Sequence, residues 1–122
     1  EVTLQGIREA VKAYTQTNMP DKLQKYHGSK TDAVFHAWTD IWLSDRFRNW
    51  DITRFLSSIH CPVLVIQGEA DEYGTLAQVQ AVTNQVKGQA QQLVIPDAGH
   101  TPHREAADLV LQHATEFIQK LK

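Results

Sequence analysis

Two short apolar runs constrain this chain more than any other feature. Residues 62–66 read Pro-Val-Leu-Val-Ile, and residues 92–95 read Gln-Leu-Val-Ile, closed by Pro96. Both are rich in β-branched residues and lack polar alternation, the signature of strands in a parallel sheet covered on both faces. Proline at the head of the first run is tolerated because the first strand residue need not donate to the ladder. Between the runs, Leu76, Val79, Val82 and Val86 recur at helical spacing, which predicts a helix over 75–87. Thr75 and Gln78 have the spacing of a capping box, and Gly88 stands where a left-handed C-cap is expected. Strand, helix and strand in so short a span form a βαβ unit, whose strands run parallel through a right-handed crossover. A final helix is expected over 104–121, burying Leu109, Val110, Ala114, Phe117, Ile118 and Leu121.

The first sixty residues follow a different grammar. Leu4, Ile7, Val11 and Tyr14 form one apolar stripe on a helix over 4–16. Asn18-Met19-Pro20 interrupts it, and residues 21–30 read as loop around a weak helix. The helical pattern resumes over 31–47 with Val34, Phe35, Trp38, Ile41 and Trp42, and residues 52–59 read as one more short helix. The expected organisation is a helical segment, 1–60, followed by a β-α-β-α part, 61–122.

Two buried strands cannot make a sheet that stands alone. Unpaired edges on so apolar an element invite aggregation or pairing with another chain. The sequence therefore implies further strands, supplied by an N-terminal part of a longer protein or by a second copy. The first option is favoured, because the opening residues read as helix without a start signal.

Composition narrows the functional classes. The chain has 122 residues, 42% apolar and 21% charged, with a formal net charge of −2. That balance gives no reason to expect a nucleic acid or an anionic membrane as partner. No apolar run is long enough to span a bilayer, and the N-terminus lacks the pattern of a signal peptide. The single cysteine, Cys61, excludes an internal disulfide and is expected to pack as a small apolar residue. A soluble, cytoplasmic protein is expected.

Chemistry concentrates just beyond the two strands. The first is followed by Gly68-Glu69-Ala70-Asp71, the second by Gly99-His100. Asp71 and His100 are thus delivered to the C-terminal rim of adjacent parallel strands, where open α/β sheets build their sites. There Asp71 can accept a hydrogen bond from Nδ1–H of His100, leaving Nε2 to act as a base. Glu69 and Glu72 are alternative acids. Asp71 can also be read as a carboxylate favoured by the helix N-terminus after Thr75. His100 and His103 make a poor metal pair, with Pro102 between them and no carboxylate or cysteine cluster beside them. Trp38 and Trp42 are most simply core residues, with substrate contact as the functional alternative. His27, His36, His60 and His113 have no motif around them.

With those residues in view, the chain resembles the α/β-hydrolase superfamily over its whole length. A Gly-x-x-Asp turn after a late strand and a Gly-His after the last strand match Gly68 to Asp71 and Gly99-His100, 29 residues apart. Residues 1–60 resemble the helical cap, and 61–122 resemble the last two strands and final helix. The resemblance implies a C-terminal portion of an α/β-hydrolase fold. It also implies a serine-dependent hydrolase of esters or related bonds with a small-molecule substrate and no cofactor. In that family's triad His100 is the base and Asp71 its partner. The Gly-x-Ser-x-Gly nucleophile elbow of the family has no counterpart here: Ser29, Ser44, Ser57 and Ser58 all lack it. His27-Gly28-Ser29 follows no strand and is a poor oxyanion-hole loop. The chain alone is therefore expected to be inactive. A non-catalytic module assembling through open sheet edges, or a degenerate hydrolase that binds a ligand, are the alternatives.

Overall fold

The computed structural model describes residues 2–121. The protein is a mixed α/β chain with one parallel pair of strands. It divides into two compact units between Trp50 and Asp51.

The first unit is helical. Helix α1 (Val2–Gln16) buries Ile7, Ala10 and Tyr14, continuing the stripe seen in the sequence. Residues 21–30 are more ordered than expected. Helix α2 (Met19–His27) accepts Pro20 in its first turn, where no N–H is required, and a 3₁₀ turn over Gly28–Lys30 follows. Helix α3 (Thr31–Leu43) ends four residues earlier than the pattern suggested, where Ser44 Oγ donates to Ile41 O at 2.7 Å. Its buried face carries Thr31, Phe35 and Thr39, whereas Val34 and Ile41 are exposed. The Thr39 hydroxyl, fully buried, satisfies itself on Phe35 O at 3.2 Å. The core of this unit is Ala10, Tyr14 and Phe35, flanked by Val11, Met19, Leu23 and Trp38. The Tyr14 ring stacks on Phe35 with centroids 3.9 Å apart, and its hydroxyl donates to Asp32.

The second unit contains the βαβ element. Strands β1 (Val63–Gly68) and β2 (Ala90–Ile95) pair in parallel, from Val63 opposite Ala90 to Gly68 opposite Ile95. Helix α4 (Leu76–Gln85) packs on both strands and on a 3₁₀ turn over Thr53–Ser58. Its N-terminus carries the expected capping box, with Thr75 N–H donating to Gln78 Oε1 at 3.1 Å. Val79, 2% exposed, is its buried residue.

Several expectations for this unit need correction. Gly88 is not a left-handed cap, since α4 ends at Gln85 and Val86 is extended. Glycine is required there for room: a Cβ on Gly88 would lie 1.9 Å from the carbonyl oxygen of Cys61. Cys61 is exposed rather than packed, because the strand begins only at Val63. The strands are half-buried along most of their length rather than covered on both faces. The last helix is split into α5 (Pro102–Glu105) and α6 (Ala107–Gln119), separated by Ala106 at φ −137°, ψ 50°. Along α6 the expected stripe is only partly enclosed. Val110, Ala114 and Phe117 are half-buried, while Leu109, Ile118 and Leu121 remain exposed together with Leu111. No helix among the described residues is long and apolar enough to cross a membrane.

Candidate functional site

Beyond Gly68 and Ile95 the chain leaves the ladder, yet the two outgoing loops stay joined. Glu69 N–H donates to Ile95 O and Ala70 N–H donates to Ala98 O, both at 2.9 Å. Gly68 makes this approach possible. A Cβ at that position would lie 2.2 Å from the carbonyl oxygens of both Ala98 and Gly99. The second loop turns at Asp97, which adopts φ 58°, a conformation that aspartate tolerates better than most residues.

This geometry brings Asp71 and His100 together. Nδ1–H of His100 donates to the Asp71 carboxylate, with distances of 3.1 Å to Oδ1 and 3.2 Å to Oδ2. Asp71 is itself fixed by the turn it starts, since Oδ1 accepts from the N–H groups of Tyr73 at 2.8 Å and Gly74 at 3.1 Å. Its side chain is 10% exposed against 56% for His100. The carboxylate is thus held inside and the imidazole presented outward. The Tyr73 ring meets the imidazole edge-on, 4.9 Å between centroids. With the proton on Nδ1, Nε2 carries a free lone pair and can accept a proton. Among the described residues, no hydrogen bond is made by Nε2 of His100.

The fallback acids Glu69 and Glu72 make no hydrogen bond to His100 among the described residues; Asp71 does. Trp38 and Trp42 lie in the helical unit. Trp38 packs edge-on to Phe35 at 5.9 Å, and Trp42 packs edge-on to Phe47 and Trp50 at 5.1 and 5.5 Å. No group of three or more His, Cys, Asp or Glu side chains among the described residues is arranged to hold a metal ion.

Sequence reasoning missed Glu105. Its Oε2 accepts the N–H of Gly99 at 2.7 Å, and its Oε1 accepts the N–H and the hydroxyl of Thr101 at 3.0 and 2.7 Å. These bonds, that from Gly99 foremost, hold the carboxyl below its ordinary range. The available signal was Thr101-Pro102, a polar residue followed by proline at the head of a helical turn. Expecting the helix to begin at 104 hid it. Neither protein-family models nor curated proteins give a match for this chain.

Proposed function

We propose that this chain is the C-terminal portion of a serine-dependent α/β-hydrolase, and that Asp71 and His100 are the acid and base of its triad. The supporting observation is the pair itself: a carboxylate, enclosed and fixed by two backbone donors, holds Nδ1 of an outward-facing imidazole. Its position at the C-terminal rim of parallel strands fits the family's architecture.

In this reading the nucleophilic serine and the oxyanion-hole donors come from a segment outside these 122 residues. His100 Nε2 takes the proton from the serine hydroxyl as its oxygen bonds to the substrate carbonyl carbon. The imidazolium formed is stabilised by the Asp71 carboxylate and returns that proton to the departing alcohol. Water then repeats the sequence on the acyl-serine and releases the acid. Bonds related to esters fall within the same chemistry.

Hydrolysis of p-nitrophenyl acetate tests the proposal. The 122-residue chain is expected to match the buffer rate, while a protein extended upstream through a Gly-x-Ser-x-Gly elbow turns over and loses activity in His100→Ala. His100-dependent turnover by the 122 residues alone, or an upstream sequence without that elbow, would overturn it.

A further inference from the structure

We propose that Glu105 is a positioning residue for His100, a carboxylate that grips the backbone on both sides of the histidine and keeps Nδ1 aimed at Asp71. The inference rests on the hydrolase reading for its catalytic meaning and deepens it; the clamp itself is a matter of geometry.

Both oxygens of Glu105 are engaged. Oε2 takes the N–H of Gly99, the residue before His100, and Oε1 takes the N–H and hydroxyl of Thr101, the residue after it. No strand partner is available to these amides, because the ladder ends at Ile95. An unpaired loop carrying an exposed imidazole would sample many orientations, and each would weaken the bond to Asp71. Charge-assisted bonds on both flanks remove that freedom.

A plainer role for Glu105 is to cap the single turn Pro102–Glu105. A local role of that kind covers the Thr101 bonds, since that residue precedes the turn. It does not account for the Gly99 bond, which lies two residues further upstream and is the shortest involving a backbone amide there. The turn is also no mere start of α6, because Ala106 leaves the helical region between them. The same bonds, that from Gly99 foremost, hold the Glu105 carboxyl below its ordinary range, and the positive charge of a protonated His100 adds to that effect. Asp71 and Glu105 therefore divide the work on one histidine: one carboxylate orients the ring, the other the backbone.

The Nδ1–H signal of His100 in nitrogen-15-labelled 122-residue chain tests this, with Asp71→Asn used to assign it. Glu105→Gln presents one acceptor and one NH₂ where two acceptors are needed, and Glu105→Ala presents none. Both are expected to lose the Nδ1–H signal to exchange while the methyl resonances of Val79 and Ile95 stay in place. Thr101→Val, which removes only the hydroxyl, is expected to keep the signal. Retention of the signal with wild-type exchange in both Glu105 variants overturns the proposal, because a purely structural cap would leave it unmoved in the folded fraction. Should both variants fail to fold, the wild-type chain decides. The Gly99 amide is expected to exchange at least roughly tenfold more slowly than an unstructured glycine, and free exchange overturns the clamp. Failure of ester hydrolysis in the extended protein, with the signal behaving as stated, would sink the hydrolase reading and leave the clamp standing.

Discussion

At Gly68 the two loops that carry the acid and the histidine approach more closely than any side chain permits. Gly68→Ala places a methyl group against two carbonyl oxygens, and overpacking of this kind costs about 1–3 kcal/mol. The expected result is a lower denaturation midpoint with a weakened His100 Nδ1–H signal; an unchanged midpoint would show that the loops part freely. Asp71→Asn preserves shape while removing the charge that the proposed triad places beside His100. In the extended protein the proposal predicts a fall in kcat of roughly 10⁴ with little change in KM, read by steady-state ester hydrolysis. In the helical unit, Tyr14 donates to Asp32, and that bond, with burial and the nearby negative charge, raises the phenol from 10.0 to about 12. A pKa higher in the folded than in the unfolded state gives stability that is complete below about pH 10 and lost as pH rises towards 12. Chemical denaturation between pH 8 and pH 12 should show that loss in the wild type and a flatter profile in Tyr14→Phe.

At the scale of elements, local pattern and packing separate what the sequence made legible from what it did not. The βαβ unit was readable because continuous β-branched runs and a capped amphipathic helix each have few alternatives. The Asp71–His100 pair was readable because both residues follow those strands immediately. Helix α2 was hidden by Pro20, which breaks a helix in its interior but suits its first turn. The helical face of α3 was read from hydrophobicity alone, so Val34 and Ile41 were favoured over Thr39. A threonine that bonds its own helix backbone can be buried at little cost. Gly88 misled because glycine serves close approach as well as left-handed caps. Glu105 is a tertiary contact of a loop, and no periodicity announces such a contact. Phe35, stacked on Tyr14, is the keystone of the first unit. Phe35→Ala is expected to cost about 3–5 kcal/mol, measured by urea denaturation. A loss below about 1 kcal/mol would mean that the aromatic stack contributes little beyond ordinary contact.

For the whole molecule, what remains uncovered matters as much as what is packed. Both strands are half-buried, each has one partner among the described residues, and α6 presents Leu109, Leu111 and Ile118 to solvent, with Leu121 exposed just beyond its end. Unpaired edges and exposed apolar side chains seek cover. Light scattering of the isolated chain is expected to show concentration-dependent association, reduced by Leu111→Glu with Ile118→Glu. A stable monomer at high concentration would argue against unmet packing on this face. In the proposed function His100 activates a serine located outside these residues. Labelling of the extended protein with a fluorophosphonate, followed by peptide mass mapping, tests it most directly. The expected result is one adduct, on a serine upstream of residue 1, abolished in His100→Ala. An adduct on Ser29, Ser44, Ser57 or Ser58, or labelling undiminished by loss of the imidazole, would contradict it.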